Sequence, residues 1–440
     1  MKTIIRPETE MKDSGVEWIK YVPENWNCMP LKRYFQFGKG LPITKADLTE
    51  NGEKVISYGQ IHAKFNTGVS VDDRLIRFVS SEYKSTNPNS LCSKGDIILA
   101  DTSEDKEGCG NAVYIDCDEK IFAGYHTIIL KSTKDNKYLA YLFQSDSWRT
   151  QIQTRVNGVK LFSITQKILN QCTIILPTLS EQQAIADYLD KTCSKIDEII
   201  AEAKASIDEY KNLREAVISN ATTRGIKTNR SLKSSGVEWL PEIPADWNVL
   251  SPKVVFTQRK DRAIKGERQL TASQKHGIMY QDDYMKEEGV RIVTVEKDFN
   301  ILKHVEPDDF VISMRSFQGG LEYSYLRGCI SSAYVMLIPN HKYVYSEYYK
   351  WFFKSDKYIN ALQSTSDLIR DGQALRYANF VKLKLFDIPI EEQKEIADYL
   401  NKKVPKIDSL ITEKESLIND LEAYKKSLIY EVVTGKRKVV

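Results

Sequence analysis

Two long stretches of the chain place apolar residues at the spacing of an amphipathic helix. The first runs over about 180–223 and contains no proline or glycine. Ser180 with Gln183 has the pattern of a capping box, and Gly225 follows as a stop signal. We expect the buried stripe of this helix at Ile196, Ile199, Ala203, Ile207, Tyr210, Val217 and Ala221.

The second stretch repeats this arrangement near the end of the chain. With Lys414 as its polar member, its apolar stripe advances in alternating steps of three and four residues, which is the heptad of a coiled coil. Pro405 is expected to interrupt or kink this helix near its start. A stripe of roughly 40 residues, about 60 Å long, needs a partner, and we predict antiparallel pairing of the two helices. The stripe is predicted at Ile407, Leu410, Leu417, Leu421, Tyr424 and Leu428.

The segments before these helices contain short β-type runs separated by glycine, asparagine and aspartate, which predicts a mixed domain in each half. A helix is expected before the last run in the first half, at 137–153, and at about 346–363 in the second. The predicted strands lie at 55–58, 96–99, 112–115, 126–130 and 173–176 in the first half, and at 289–294, 310–313 and 333–337 in the second.

The two halves are copies of one another at their joints. Residues 12–27 and 233–248 are identical at nine of sixteen positions, and residues 181–197 and 392–408 at eleven of seventeen. The segments between the joints have diverged. A repeat this long indicates duplicated domains with pseudo-twofold symmetry, unlike the short repeats of a solenoid. The expected architecture is α/β (α+β), with globular domains at 1–178 and 226–389 joined by helices at 179–225 and 390–440.

Composition narrows the class of protein. The chain of 440 residues is 42% hydrophobic and 28% charged, as in a globular protein. It has no apolar run long enough to cross a membrane and no secretory pattern at the start. Seven cysteines without a C-x-x-C pair favour reduced thiols and a cytoplasmic protein.

The charge is distributed unevenly along the chain. The whole chain carries only +3, but residues 29–178 carry 19 basic and 16 acidic side chains, and residues 249–385 carry 21 and 16. The first helix, at 179–225, carries 6 and 9. The basic excess therefore lies in the two domains, although it is too small to identify a nucleic-acid-binding protein by itself.

Two divergent domains, each followed by a helix that opens with EQ-x-x-I-A-D-Y-L, resemble the specificity subunit of type I restriction-modification enzymes. The resemblance covers essentially the whole chain. The motifs that carry it are GVEW at 15–18 with Pro23 and Trp26, Pro177 with the motif at 181–189, and their copies at 236–239, Pro244, Trp247, Pro389 and 392–400.

This resemblance implies a function. Each domain would read one half of a split target in double-stranded DNA, and the paired helices would act as spacers that also dock two copies of an adenine methyltransferase subunit. A restriction/translocase subunit would complete the complex. The chain itself would hold no cofactor and have no catalytic activity, while S-adenosylmethionine, ATP and magnesium would be bound by the partner subunits.

Base reading favours arginine, lysine, asparagine, glutamine, serine and threonine on loops. Such loops occur at matching places in both halves, and each named residue has an ordinary solvated loop as its alternative. The 259–262 cluster has the character of a phosphate contact or a solvated charge run. The candidate DNA-binding residues are Lys39, Lys45, Tyr58, Gln60, His62, Lys64, Ser103, Lys106, Arg259, Lys260, Arg262, Ser273, Gln274, Lys275, Arg315, Ser316 and Gln318; Arg315 and Gln318 are the strongest in the second half.

The joint motifs have a structural and a functional interpretation. Trp26 and Trp247 are expected to pack in domain cores, and the EQ segments to form helix starts. Docking of a partner through the polar residues of these segments is the alternative. The candidate docking residues are Glu181, Gln182, Asp187, Glu392, Gln393 and Asp398.

Motifs for catalysis are missing from the sequence. It contains no nucleotide-binding glycine loop, no aminomethylation motif and no metal-ligand spacing among its five histidines. Two other classes of function stay open: a stand-alone enzyme that modifies or cleaves DNA, and a structural coiled-coil scaffold. Divergent domains between matching joints count against the scaffold.

Overall fold

The computed structural model describes residues 3–132, 137–158, 160–295, 299–313, 316–365 and 376–439. The chain divides into two compact units. Unit 1 comprises residues 1–203 and 417–440, and unit 2 comprises residues 204–416. Each unit therefore contains one globular body, the first part of the helix that follows that body, and the last part of the other helix.

The body of unit 1 is built from short strands and helices, with single 3-10 turns at Glu8–Glu10, Leu31–Arg33, Lys45–Asp47, Asp73–Leu75 and Pro88–Ser90. Its strands are Thr3–Ile5 (β1), Met11–Asp13 (β2), Tyr21–Pro23 (β3), Asn27–Pro30 (β4), Gln36–Lys39 (β5), Glu53–Ile56 (β6), Arg77–Val79 (β7), Leu91–Cys92 (β8), Ile97–Ala100 (β9), Thr102–Ser103 (β10), Ala112–Tyr114 (β11), Ile121–Ala123 (β12), Thr127–Lys131 (β13), Phe162–Ser163 (β14) and Thr173–Leu176 (β15). Its helices are Tyr58–Ile61 (α1), Tyr83–Thr86 (α2), Lys137–Gln144 (α3), Asp146–Gln153 (α4) and Gln166–Leu169 (α5), followed by the long helix Leu179–Arg224 (α6).

The second half of the chain has the same plan, with a 3-10 turn at Phe299–Ile301. Its strands are Leu232–Ser234 (β16), Glu242–Pro244 (β17), Asn248–Leu250 (β18), Phe256–Arg259 (β19), Leu270–Ser273 (β20), Gly277–Tyr280 (β21), Lys303–Val305 (β22), Phe310–Ile312 (β23), Glu322–Tyr323 (β24), Gly328–Ile330 (β25), Val335–Pro339 (β26), Leu385–Asp387 (β27) and, after the last helix, Arg437–Val439 (β28). Its helices are Pro252–Val255 (α7), Gln281–Glu288 (α8), Ser316–Gly319 (α9), Ser346–Phe352 (α10), Asp356–Ser364 (α11), Tyr377–Phe380 (α12) and Ile390–Val433 (α13). Strand β28 pairs with β1 and belongs to unit 1.

Each body is organised around an antiparallel sheet of four strands with the same order. In unit 1 the order is β5-β13-β9-β11, and in unit 2 it is β19-β26-β23-β24. The central strands are continuous runs of apolar residues that are buried on both faces, as expected for strands covered by other layers. The divergence in sequence between the bodies has therefore left this framework intact.

A second set of strands is also shared by the two bodies. In unit 1 the order is β7-β6-β12-β8, and β6 runs parallel to β12. In unit 2 the hairpin β20–β21 and the pair β22–β25 take these places, connected by a parallel bridge between Gln269 and Cys329. Apolar side chains of these strands form a core in each unit, around Ile98 and Val113 in unit 1 and around Val311 and Met336 in unit 2.

The strand at 173–176 has the predicted bounds, and the runs at 96–99, 112–115, 126–130, 310–313 and 333–337 overlap observed strands. The predicted strand at 289–294 is wrong. Helix α8 ends at Gly289, which has a left-handed φ of 65°, and no described residue from 290 to 295 lies in a strand. Val293 in this segment is 88% exposed. The β-branched residues that suggested a strand are therefore not packed into a sheet.

The two predicted body helices are each divided into two. In unit 1 the break lies at Ser145, whose hydroxyl donates to the Leu142 carbonyl (2.6 Å) and accepts from the Trp148 amide (3.4 Å). In unit 2 Ser355 makes the equivalent bond to the Phe352 carbonyl (2.7 Å). A single serine between two helices does not interrupt the spacing of the apolar residues, so the apolar pattern did not predict these breaks.

The long helices pair antiparallel within each unit, as predicted. The first part of α6 lies with the last part of α13 in unit 1, and the reverse holds in unit 2. An ion pair links the helices in each unit, Asp197 with Lys425 (2.7 Å) in unit 1 and Arg214 with Asp408 (2.7 Å) in unit 2.

The predicted start and interior of these helices need correction. The capping box of α6 is Thr178 with Glu181, not Ser180 with Gln183: the Thr178 hydroxyl accepts from the Glu181 amide, and the Glu181 carboxylate accepts from the Thr178 amide (both 3.3 Å). Gly225 ends α6 with a φ of +74°, as expected. Helix α13 continues through Pro405 without interruption.

The predicted heptad of α13 is wrong at every second position. Leu410, Leu417 and Tyr424 are 40%, 38% and 51% exposed, whereas Ile411 and Ile418 are buried. In α6, Ile199 is likewise 45% exposed and Ile200 is buried. Leu410 and Ile411 are both apolar, and so are Leu417 and Ile418. A heptad stripe can therefore be drawn through either member of each pair, and the sequence alone did not show which member is buried.

Candidate nucleic-acid interface

Two of the predicted loops of the first body meet in a cleft of about 550 Å³. Helix α1 follows β6 of one sheet, and the segment 101–110 follows β9 of the other. Because α1 packs against β9, the two segments come together. Tyr58, His62 and Ser103 lie in this cleft as predicted candidates. The remaining lining residues are Gly59, Glu104, Asp105, Glu107, Gly108, Asn111 and Arg149.

A chain of hydrogen bonds forms the polar floor of this cleft. Arg149 Nη1 donates to Asn111 Oδ1 (2.7 Å), and Asn111 Nδ2 donates to His62 Nδ1 (3.0 Å). His62 Nε2 donates to the Thr102 carbonyl (2.8 Å). Because a carbonyl oxygen only accepts, these bonds place the proton of the neutral imidazole on Nε2.

Both ring nitrogens of His62 are therefore occupied by the protein. His62 positions the loop, and its polar atoms are not offered to a base. Arg149, whose pKa is lowered by burial, and Asn111 are functional candidates that sequence reasoning missed. Arg149 comes from α4 and Asn111 from the position just before β11, both distant in sequence from His62, so only the tertiary structure reveals them.

Tyr58 is held by a group of aromatic rings. It makes edge-to-face contacts with Tyr125 (5.6 Å between ring centroids) and with His126 (5.3 Å). His126 is largely exposed, and its Nδ1 lies 3.4 Å from Asp101 Oδ1. His126 and Asp101 also line a neighbouring cleft of about 450 Å³ together with the predicted residue Lys39.

The other candidates of the first body have varied environments. Gln60 Oε1 accepts from the Ser57 amide (3.2 Å), which makes it a helix-capping residue. Lys45, Lys64 and Lys106 are exposed. Direct contact of these three lysines with DNA stays a prediction.

The predicted loops of the second body also come together. Gln274 lies at the β20–β21 turn, and its amide nitrogen would be 2.7 Å from a Cβ placed on Gly319 in α9. Ser273 Oγ accepts from the Lys275 amide (3.2 Å), and Lys275 pairs with Glu288 (2.7 Å).

The residues of and before α9 differ in exposure. Ser316 is buried, and its hydroxyl accepts from the Ser313 amide (2.8 Å), so it stabilises the turn. Gln318 is exposed. Arg315 lies outside the described residues.

The basic cluster at 259–262 is organised around an internal ion pair. Arg259 Nε and Nη2 bind the two oxygens of Asp309 (2.7 and 3.0 Å), and the arginine side chain is only 15% exposed. A phosphate contact by Arg259 would require this bidentate pair to break. Lys260 is exposed, and Arg262 donates to the Ile301 carbonyl (3.3 Å), so these two remain candidates.

Two of the four joint tryptophans, Trp26 and Trp247, lie in the cores as expected, whereas Trp18 and Trp239 are half-buried. Trp26 and Trp247 are 1% and 0% exposed. The indole N–H of Trp26 donates to Glu181 (3.4 Å), and that of Trp247 donates to Glu392 (3.2 Å). The glutamate of each EQ motif is therefore hydrogen-bonded to the body that precedes the motif in the sequence.

The second residue of the motif is also used internally. Gln393 is fully buried; its amide nitrogen donates to the Tyr343 and Ile388 carbonyls (both 2.8 Å), and its oxygen accepts from the Tyr345 amide (2.8 Å). Gln182 donates to the Pro177 carbonyl (3.0 Å). These bonds account for the EQ pair as a structural motif. Asp187 and Asp398 are exposed, and docking through any of the six stays a prediction.

Within the described ranges, no group of histidine, cysteine, aspartate or glutamate side chains has the arrangement of a metal site. All seven cysteines are free thiols. No helix in the part of the chain that the structure describes is long and apolar enough to cross a membrane.

Comparison with known proteins agrees with this architecture. Residues 23–209 match the type I restriction modification DNA specificity domain. A putative type I restriction enzyme MjaX specificity subunit of Methanocaldococcus jannaschii is 24% identical over 442 residues, covering 95% of each chain.

Solved structures show the same fold. One, from a study of complex assembly and conformational transition of the type I R-M system, has a TM-score of 0.68 at 14% identity and covers 94% of this chain and 99% of that chain. The HsdS subunit of Thermoanaerobacter tengcongensis has a TM-score of 0.53 at 13% identity, with 94% and 98% covered.

Each half of the chain combines a body, built on a four-stranded sheet of the same strand order, with a long helix, and the first of these halves carries the match to the DNA specificity domain. Over 95% of its length the chain is similar in sequence to a specificity subunit of the type I restriction enzymes, and its fold matches solved structures of this group.

Proposed function

We propose that this chain reads a bipartite DNA target, one half-site with each body. The observation that supports this most directly is the contrast between framework and loops. The two bodies share strand order, yet the same end of the framework carries α1 and the segment 101–110 in unit 1, and the β20–β21 turn and α9 in unit 2. Different polar side chains on one framework would read different base sequences.

The test is an exchange of one body. Residues 249–385 would be replaced by the corresponding segment of another specificity subunit, and the methylated sequence would be determined by methylome sequencing. We expect one half-site to change and the other to persist. A change of both halves, or of neither, would contradict separate reading.

We further propose that the exposed faces of the long helices dock the methyltransferase subunits. Leu410, Leu417 and Tyr424 stand seven residues apart along α13 and remain exposed although the helix is paired. Apolar side chains repeated at this interval on a solvent face are characteristic of a surface that is covered in a complex. Asp187 and Asp398 are exposed candidates for the polar part of such a contact.

Substitution of Leu410, Leu417 and Tyr424 by serine should weaken assembly with the methyltransferase on a sizing column, without lowering the melting temperature of the chain. The matched control replaces the exposed acids Glu413 and Asp420 by serine on the same helix. Equal assembly of both variants would refute docking through this line of residues.

In this proposal the chain supplies recognition, and the partner subunits supply chemistry. S-adenosylmethionine, ATP and magnesium would be bound by the methyltransferase and restriction/translocase subunits. The purified chain incubated with S-adenosylmethionine or with magnesium should neither methylate nor cleave DNA. Either activity in a pure preparation would favour a stand-alone enzyme.

A further inference from the structure

A cleft of about 870 Å³ opens in the body of unit 2, away from the residues that the sequence singled out. One wall is a face of α11, where Lys357, Asn360 and Ser364 follow one another at helical spacing. The others are the loop 236–239 and the segment that leads into β27, which contributes Lys382 and Lys384. Three ammonium groups therefore line one concave surface.

Within the part of unit 2 that the structure describes, these three lysines form no ion pair, in contrast to three other lysines of that unit. Lys275, Lys350 and Lys354 each form an ion pair, with Glu288, Glu347 and Glu322. Among the described residues of unit 2, no carboxylate oxygen lies within ion-pair distance of Lys357, Lys382 or Lys384. Glu238 is the single acid among the described lining residues. The cleft thus holds an excess of positive charge.

Lys357 is partly desolvated and lies near a further cation, Arg224, which is paired with Glu242 (3.7 Å). Burial lowers the pKa of Lys357, and the neighbouring Arg224 guanidinium acts in the same direction. Cations held close together and partly desolvated destabilise one another unless an anion neutralises them. An anionic ligand would provide that neutralisation.

The shared framework does not require these lysines. By the alignment of α4 with α11 and of β15 with β27, the corresponding residues of the first body are Ser147, Gln171 and Thr173. The same fold is therefore built with neutral residues at all three positions. The charge is a local addition to the second body.

The cleft is next to a candidate reading element. Helix α9 packs against α11, and Lys354 Nζ donates to the Gly319 carbonyl at the end of α9 (2.9 Å). Helix α11 thus carries the lysine-lined face and also supports the segment that contains Gln318.

We propose that this cleft binds phosphate groups of the DNA backbone beside the half-site read by the second body, an inference that rests on the proposed function. Lysine side chains on a concave surface would fix the position of the duplex without reading its sequence. The first body, with neutral residues at these positions, lacks the equivalent contact.

The test uses the complex of the chain with its methyltransferase subunit. The variant Lys357→Ser/Lys382→Gln/Lys384→Thr introduces the residues that the first body carries. DNA affinity is measured by fluorescence anisotropy between about 50 and 200 mM salt. Each lost phosphate contact lowers the slope of log affinity against log salt by about 0.9, so we expect the slope to fall by roughly 2 to 3. Affinity for target and non-target DNA should fall in similar proportion, with an unchanged methylated sequence.

The charge-matched control is Lys32→Gln/Lys120→Gln/Lys253→Gln, which removes three exposed lysines of the bodies that lie outside both the cleft and the long helices; its slope should match that of the parent. An unchanged slope in the cleft variant, with target binding retained, would overturn the proposal. Loss of assembly on a sizing column would also overturn it, because the cleft would then bind a protein. If the complex of the unsubstituted chain showed no sequence preference, the proposed function itself would be refuted. Methylome sequencing measures that preference independently of the salt slope, so the two failures can be distinguished.

Discussion

Glu181 and Glu392 stand at the same place in the two units, yet their carboxylates have different partners. Glu181 accepts from the Thr178 amide at the start of α6 and from the Trp26 indole, and Arg6 lies 4.0 Å away. Glu392 accepts from Trp247 and is held by Arg230, which also binds Asp246. The side chain of Glu181 is 30% exposed and that of Glu392 is 2% exposed.

The difference follows from one residue of the helix start. Thr178 caps α6 and donates its amide hydrogen to the Glu181 carboxylate. The residue at the same distance before Glu392 is Pro389, which lies one position later relative to the motif than Pro177 does and has no hydroxyl and no amide hydrogen. Glu392 is thereby free to bind an arginine. The joint of unit 2 has become a buried ion pair, while the joint of unit 1 is a partly exposed cap. A repeated motif can thus keep its geometry while the source of its stability changes.

The largest expected effect comes from removing these carboxylates. Glu392→Ala should destabilise unit 2 by about 2–3 kcal/mol, because Arg230 loses its buried partner and keeps only the exposed Asp246, and the Trp247 indole N–H loses its acceptor. Glu181→Ala should cost unit 1 only about 1 kcal/mol, since its bonds are longer and partly exposed. Native-state hydrogen exchange of peptides from each joint measures the two effects within one full-length chain.

The double variant Arg230→Ala/Glu392→Ala serves as a control. It should recover part of the loss, because the largely buried guanidinium that has lost its buried partner is then absent as well. Equal costs for the two single glutamate variants would show that the difference in burial has no energetic consequence.

The sequence predicted the repeated EQ motif, but it did not predict that Glu181 and Glu392 have different partners. The pairing of two long helices, the burial of Trp26 and Trp247 and the stop at Gly225 follow from local signals, and all are confirmed. The register of α13 did not follow, since Leu410 and Ile411 are both apolar and only packing selects between them. The cleft of the first body depends on Arg149 and Asn111, which tertiary structure brings to His62. No local pattern marks such residues.

An intermediate effect is expected at the glycines that end the long helices. Gly225 and Gly435 both have a φ of +74°. A Cβ on Gly435 would lie 2.4 Å from Pro23 Cγ and 3.0 Å from the Trp26 ring, whereas on Gly225 it would meet the side-chain ends of Arg230 and Glu392 (2.7 and 2.8 Å). Gly435→Ala should therefore cost unit 1 roughly 2–4 kcal/mol, and Gly225→Ala should cost unit 2 about 1–2 kcal/mol, mainly for the left-handed backbone.

Hydrogen exchange of the same joint peptides measures both substitutions. Asparagine tolerates the left-handed conformation better than alanine, so Gly225→Asn should recover more stability than Gly435→Asn. A larger loss of stability at Gly225 than at Gly435 would mean that the side chains of Arg230 and Glu392 cannot move to make room for the added methyl group.

The smallest effect is a dependence on pH confined to unit 2. His304 is buried, with Nδ1 2.7 Å from Glu267 and Nε2 2.8 Å from Glu306. Burial opposes its protonation, but the two carboxylates outweigh burial and raise the pKa of His304 above 6.5. Arg327 also faces both acids, at 3.8 and 3.5 Å, and the bond from His304 lowers the pKa of Glu306, which keeps that acid ionised.

A group whose pKa is raised on folding contributes stability that is fully present below its unfolded pKa and is lost as pH rises through its folded pKa. The cost of His304→Gln in urea denaturation should therefore be greatest near pH 5.5 and should shrink as the pH rises past 6.5. The equivalent strand pair of unit 1 contains Cys92, whose pKa burial raises, so that its thiol stays neutral throughout this range. Cys92→Ala should accordingly cost the same at every pH. A cost of His304→Gln that grew with pH would show that the imidazole is neutral in the folded chain and that burial, not the pair of carboxylates, controls its charge.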